Sequence, residues 1–569
     1  MPAESTRLTS IPRPAYILWI AVILLFAAVH FWHLAADFPN HSPWEDWSKY
    51  TDEGWYGNAA IRAHLFGNWY LPGDFNPAPA VPLWPALEWL LFTVTGVHIE
   101  AARALSVSFF FLNLFLSYKL FRERGPRWVG LLAVTLLVTS PFLYSFSRLA
   151  ILEPLLMALT LTAFNLAIRL PNYRYAEPIA GLIGFLYTAM LFTKTTALFL
   201  LPALVWIILL PHLPGAGNRN PREGLRRAFR LLVSAGGAAL LAFASWMLAV
   251  VETGLFPDFK YLFFINTYDK PATLLGRLLS AWWAFHGGLW ADIILIPLAG
   301  LLILAALITR LRHPLRHHSK DDSDLRRGWK PKPWKPNWTS GLWRDPLFSG
   351  SVLAAAGYIA FMAYQNHPQP RYYVVVAFFS FFVVTRIAAQ LIYARHFYGD
   401  GAAHLATRQA GLAILAILAL TATFNGIWTL KYVFHPEYTW VTAAQNLTRY
   451  IDQHPNGNRQ LVSISGDEIT LITHLPSLCD DFGTEDLPDK LAHYQPGWYA
   501  TWNDLDPGTL EDLHVHYSLE QVAEFPAFDD PDRNVLVLFK LHPLAKPRTD
   551  GAPQLRDAMP DDKIDIDVD

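Results

Sequence analysis

The strongest constraint on this chain is the recurrence of apolar runs of about 20 residues, the length a helix needs to cross the hydrocarbon of a bilayer. About eleven such runs are separated by polar or charged breaks: residues 15–32, 102–121, 128–145, 152–170, 178–192, 197–213, 228–251, 289–308, 347–364, 373–392 and 412–430. Only 16% of the 569 residues are charged and 53% are hydrophobic, whereas soluble domains carry about 25% charged residues. The expectation is an α-helical polytopic membrane protein of about eleven transmembrane helices. The single cysteine, Cys479, excludes an intrachain disulfide and a zinc site built of thiolates. No nucleic-acid-binding module is recognisable.

Loop charge assigns the sides, because basic loops stay in the cytoplasm. Arg122, Arg124 and Arg127 mark one such loop, Arg169 and Arg174 the next, and residues 219–230 and 310–344 the two longest. Arg395 and Arg408 mark the last. The alternate loops begin at Asp37, Ser147, Lys194, Glu252 and Gln365, and face outward in this reading. Segment 81–97 is apolar enough to span, but spanning would invert the charge pattern beyond it. Pro82, Pro85 and Glu88 suit a helix lying at the interface. It is therefore placed in one large outward loop, residues 34–101.

Composition shifts after residue 430. Segment 442–454 has helical spacing, 461–465, 498–502 and 535–540 read as strands, and 468–474 reads as a short helix. This alternation predicts an outward-facing α/β domain over 431–542. From 543 to 569 no apolar period survives, and a disordered tail is expected.

Charges at one set of span ends carry the chemistry, since ionisable residues at membrane depth are costly and mark functional sites. They are Asp52 and Glu53, followed at once by Trp55 and Tyr56; Arg148 and Glu153; Lys194; and Arg371 with Tyr372 and Tyr373. Each also has a plainer explanation. Glu153, with Pro154 behind it, fits a carboxylate at a helix start. Lys194 fits a lysine reaching for the interface. Arg371 and its tyrosines fit an interfacial anchor, and Arg62 fits a counter-charge to Glu53.

Taken in order, these pieces resemble the lipid-sugar-dependent membrane glycosyltransferases of the GT-C superfamily. They are most similar to the family 39 group of protein O-mannosyltransferases and aminoarabinose transferases. The resemblance is carried by Asp52-Glu53 with Tyr56 and Ala59, Gly67-Asn68-Trp69 with Pro72, the proline-rich helix Pro82 to Trp89, and Ala102-Arg103. Arg148 to Pro154, Thr193-Lys194 and Arg371-Tyr372-Tyr373 complete it. The chain departs from the group in having Ala80-Val81 where aminoarabinose transferases carry a lysine, and Glu153 where an aspartate is common.

The resemblance implies inverting transfer of a sugar from a polyprenyl-phosphate donor to an acceptor hydroxyl on a glycolipid, polysaccharide or protein. The active site and C-terminal domain would lie outside a prokaryotic plasma membrane. It implies Asp52 as the base, with Glu53, Tyr56, Arg148, Glu153, Lys194, Arg371 and Tyr372 binding substrate, and neither metal nor cofactor. Outward acids and cations would also suit a transporter or flippase of lipid-linked anions, or a membrane sensor. A transporter would show internal repeats, and none is found.

Overall fold

The computed structural model describes residues 12–213, 221–266, 268, 270–312, 339, 341–393, 402–531 and 533–546. Most of loop 310–344, Arg395 and the tail beyond 546 lie outside the described residues. Six helical spans are long and apolar enough to cross a membrane: Ile99–Arg122, Glu153–Asn172, Thr195–His212, Pro221–Glu252, Pro346–Gln365 and Pro370–Ile392. A seventh runs from Leu405. Arg127–Thr139 and Pro141–Arg148 form an eighth if taken together, bent by 66°. Pro141 cannot continue the first helix's hydrogen bonding, and Ser140 starts the second by accepting from the Leu143 N–H at 3.3 Å. Shorter apolar helices are Arg13–Val29, Leu83–Thr95, Ala176–Leu191 and Leu295–Leu311. Each of the eleven runs read from sequence falls mainly on one of these helices.

Leu83–Thr95 is the segment that decided the sidedness argument. Its 13 residues reach about 20 Å at 1.5 Å each, short of the ~30 Å hydrocarbon. It packs on Asn58–Phe66 and on Ile99–Arg122. The latter helix starts three residues earlier than the sequence suggested, so the first loop ends at 98.

Tyr373–Ile392 runs through the middle of the bundle, with Val375, Phe379, Phe381, Phe382 and Val383 fully buried. Pro221–Glu252 lies at the outside and leaves Leu240, Leu241 and Leu248 exposed, the residue types that a lipid environment accepts at no cost. The bundle has two chemically distinct ends. At one, Arg169 pairs with Glu123, while Arg124 and Arg386 share Asp345 at 3.6 and 2.5 Å. At the other end lie Asp37, Asp52, Glu153, Lys194 and Arg371, beneath the C-terminal domain.

That domain holds a five-stranded sheet. Its strands are β1 (Leu461–Val462), β2 (Ser477–Leu478), β3 (Trp498–Trp502), β4 (Tyr517–Pro526) and β5 (Val535–Pro543). β1 pairs parallel with β2 and β3, and β5 pairs antiparallel with β3 and β4. The last strand therefore runs one residue past the boundary expected at 542. The preceding helix, Ala402–Phe434, runs past the expected junction at 430. Thr439–Gln453 covers the sheet with Trp440, Leu447 and Ile451, against Trp498 and Leu538.

The domain grips the first loop tightly. Lys49 pairs with Asp530 at 3.0 Å, with both side chains buried. Arg533 lies 3.9 Å from the Trp47 ring centroid. Thr439 donates its N–H to Asp37 at 2.6 Å. These contacts place residues 37–53 between the bundle and the sheet.

Candidate active site

Asp52 opens a four-residue helix, Asp52–Trp55, and is 1% exposed. The turn is set locally. Thr51 donates its hydroxyl to Trp47 O at 2.8 Å, and the Trp55 N–H closes on Thr51 O at 3.0 Å. Asp52 Oδ2 lies 3.2 Å from Arg371 Nε. The pair lacks the alignment of a hydrogen bond, so neither atom has a hydrogen-bond partner among the described residues. Burial raises the Asp52 carboxyl above its usual range, and Arg371 and Lys194 only partly offset this. A carboxylate with a raised pKa and an oxygen that accepts no hydrogen bond is suited to accept a proton.

Arg371 sits in a short turn, Pro370–Tyr372, at the head of the central helix. Gln369 is extended, the conformation favoured before a proline. A second acid holds Arg371. Asp46 Oδ1 accepts from Nη1 at 2.5 Å, and Asp46 Oδ2 accepts from the Arg371 backbone N–H at 2.8 Å. Burial alone would push the Asp46 carboxyl up, but Arg371 and the Arg371 and Ser48 N–H groups outweigh it and hold it below its usual range.

Lys194 stands in the break after Ala176–Leu191 and pairs with Glu153, the first residue of Glu153–Arg169. Both charges act on Asp52. Lys194 Nζ and Arg371 Cζ lie 4.8 and 5.2 Å from the centroid of the Tyr372 ring. Two cations from separate segments of the chain thus share one aromatic ring, each contact favourable by roughly 0.5–2 kcal/mol. Burial and the Asp52 charge hold the Tyr56 phenol well above its usual range.

The structure therefore brings Asp52, Tyr56, Glu153, Lys194, Arg371 and Tyr372 together. It takes Glu53 and Arg148 elsewhere. Glu53 accepts from Arg103 Nε and Nη2 at 2.8 and 2.6 Å and from the Ala150 N–H at 2.7 Å, so it is committed to holding the scaffold. Arg148 donates to Tyr144 Oη at 2.7 Å and to the Trp32 and His33 carbonyls. Arg62 does not balance Glu53. It pairs with Asp74 and Asp467, each at 2.7 Å.

Sequence reasoning missed Asp46, although Trp44-Glu45-Asp46-Trp47 repeats the acid-and-aromatic pattern of Asp52 to Tyr56 a few residues earlier. It also missed Lys270 and Arg277. These line an apolar cavity of about 1090 Å³ with Phe285, Ile303, Ala360 and Val376. Lys270 donates to Tyr364 Oη at 3.1 Å and Arg277 to Pro271 O at 3.2 Å. Val376, five residues beyond Arg371 in the chain, is the cavity-lining residue of the central helix that is nearest to Arg371 in sequence. Among the described residues, no three His, Cys, Asp or Glu side chains are grouped as metal ligands would be.

Residues 77–221 match the family described as dolichyl-phosphate-mannose-protein mannosyltransferase. No curated protein matches the chain. Among solved structures, the chain is similar to ArnT from Cupriavidus metallidurans bound to undecaprenyl phosphate. The two are 15% identical over 93% of this chain and 98% of that one, with a TM-score of 0.52. It is also similar to the Archaeoglobus fulgidus oligosaccharyltransferase, 12% identical over 93% of this chain and 75% of that one, with a TM-score of 0.47. The chain has the fold of the GT-C superfamily of membrane glycosyltransferases.

Proposed function

We propose that this protein is an inverting glycosyltransferase that moves a sugar from a polyprenyl-phosphate donor to an acceptor hydroxyl at the non-cytoplasmic face of a prokaryotic plasma membrane. The observation that carries the reading is Asp52: buried, with a raised pKa, its Oδ2 3.2 Å from Arg371 Nε and without a hydrogen-bond partner among the described residues. The segregation of Arg124, Arg169 and Arg386 to the opposite end of the bundle supports the sidedness.

In the reaction, Asp52 Oδ2 takes the proton of the acceptor hydroxyl. The acceptor oxygen bonds to the anomeric carbon from the face opposite the phosphate. The bond from that carbon to the phosphate oxygen breaks, and its electron pair leaves with the lipid phosphate. One displacement inverts the anomeric centre. Positioned cations stabilise the charge that grows on the leaving phosphate. Arg371 and Lys194 are already matched by Asp46, Asp52 and Glu153, so they set the local field. Lys270 and Arg277 form no ion pair with an acid among the described residues. They stand at the cavity that would take the polyprenyl chain, and they meet the phosphate. No step requires a metal.

The test is transfer from a panel of radiolabelled undecaprenyl-phosphate hexoses and pentoses, with host membrane extract as acceptor pool. Wild type should transfer from at least one donor and continue in excess EDTA. Asp52→Asn should lose transfer by about 10³-fold or more, within the 10²–10⁴ that general-base catalysis contributes, and still bind undecaprenyl phosphate. Turnover at the wild-type rate in that variant removes Asp52 from the reaction. Loss of activity in EDTA brings a divalent ion into it.

A further inference from the structure

The turn that carries Asp52 does not pack on the membrane helices alone. Gly54, two residues on, lies directly against the backbone of the C-terminal helix Gly466–Thr473. A methyl group at Gly54 would sit 2.1 Å from Glu468 N and 2.2 Å from the Asp467 carbonyl carbon. No side chain could occupy that space without moving one backbone away from the other.

Three further bonds fix the same register. Trp55 donates its indole N–H to Ile464 O at 3.0 Å. Asn58 donates to Asp467 Oδ2 at 3.1 Å, and Arg62 donates to Asp467 Oδ1 at 2.7 Å. Asp467 thus bridges two residues one helical turn apart on the helix that follows the catalytic turn. Glu468, fully buried, accepts from Trp440 Nε1 at 2.7 Å, which ties the short helix to the domain's core.

We infer that the C-terminal domain is a working part of the active site, with Asp467 and the backbone at Glu468 positioning Asp52 against Arg371. Neither touches the reacting atoms; they act through Gly54, Asn58 and Arg62. The inference rests on the reading of Asp52 as the base. It gives the domain a task other than holding the acceptor. Displacing a reacting group by about 1 Å is enough to cost roughly 100-fold in rate, so a contact with no slack at Gly54 is a sensitive place to fix geometry.

The experiment compares full-length wild type with Gly54→Ala, Asp467→Asn, Asp452→Asn and Asp52→Asn. The Asp467 change keeps the side chain's shape and removes its charge. Asp452 pairs with Arg459 on the exposed face of the same domain and serves as the control for general damage to it. Turnover is measured with the labelled undecaprenyl-phosphate sugar, and undecaprenyl phosphate binding is titrated separately. Gly54→Ala and Asp467→Asn should lose kcat by about 10-fold or more, with the Kd for undecaprenyl phosphate within about twofold of wild type, while Asp452→Asn is unchanged.

A wild-type kcat in either folded variant overturns the inference. So does a raised acceptor KM with unchanged kcat, which would assign the domain to acceptor binding. If Gly54→Ala does not fold, the isosteric Asp467→Asn decides. An inactive Asp52→Asn beside a fully active Asp467→Asn defeats the inference and leaves the base intact. An active Asp52→Asn defeats the reading beneath it.

Discussion

Arg371 is held between two carboxylates, and the two are not equivalent. Asp46 takes both a guanidinium N–H and the backbone N–H of Arg371, so its charge is fully used. Asp52 Oδ1 accepts from the Thr51 hydroxyl at 3.3 Å, and Oδ2 faces Arg371 Nε at 3.2 Å with no hydrogen-bond partner among the described residues. Asp46 also raises the Asp52 carboxyl by like-charge repulsion, so Asp46→Asn has two expected consequences. The first is kinetic. A base works when deprotonated, so activity climbs as pH rises through the Asp52 pKa. Removing the Asp46 charge lowers that pKa, and the acid limb of kcat/KM should move to lower pH. The second concerns stability. The depressed Asp46 pKa contributes stability above the usual carboxylate range, and this is lost as pH falls through the depressed value. The variant should therefore be less stable at neutral pH, by about 3 kcal/mol as for a broken buried pair, with the gap closing in acid. A pH–rate profile and melting curves in detergent read the two effects separately.

The same residues show what a sequence can disclose. Glu153, Lys194 and Arg371 were legible because a charge next to a long apolar run has few cheap locations, and Asp52 through the aromatics and small-residue helix that follow it and the family resemblance. Asp46 was hidden because it lies in the same polar loop with no helix of small and apolar residues directly behind it, and there an acid costs nothing until the chain folds. Glu53 and Arg148 were legible as buried charges, but their roles were not. Only three-dimensional contacts reveal that Arg103 and the Ala150 N–H consume Glu53 and that main-chain carbonyls consume Arg148.

At the scale of elements, continuous apolar runs located the membrane helices. The apolar pattern did worse in the C-terminal sheet, where β2 has two residues and β4 exposes half of its length. Neither carries the alternating or continuous apolar signal on which strand recognition depends. How the helices approach one another was also beyond the pattern. Ala176–Leu191 and Pro221–Glu252 meet at Gly184, where a Cβ would fall 1.8 Å from Ala235 O. Ser234 Oγ and Thr188 Oγ1 then donate across the contact to Glu177 O and Ala239 O at 2.7 and 2.9 Å. Small residues allow this close approach, and hydroxyls bind across it. Gly184→Val should force the helices apart and destabilise the protein by about 1–3 kcal/mol, as overpacking does. A lower melting temperature in detergent, with donor affinity preserved in the folded fraction, is the expected result.

For the molecule as a whole, the proposed reaction needs a polar site and a greasy one, and the chain from Arg371 into the central helix contributes residues to both. Arg371 and Tyr372 stand at its head, and Val376 and Ser380, farther along it, line the cavity shared with Leu274–His286, Leu295–Arg312 and Pro346–Gln365. A polyprenyl chain in that cavity gains affinity with every isoprene unit that leaves water, about 0.8 kcal/mol per buried methylene. Ala360 projects into this space and is otherwise exposed, so Ala360→Phe fills the cavity without disturbing the charged site. The variant should bind long-chain donors more weakly, with KM rising about 10-fold or more for an undecaprenyl donor, since losing two methylenes' worth of burial already costs that much. A donor with only one or two isoprene units should show little change, and kcat should hold for both. Equal losses for short and long donors would place the lipid outside this cavity. They would leave Lys270 and Arg277 without the phosphate assigned to them.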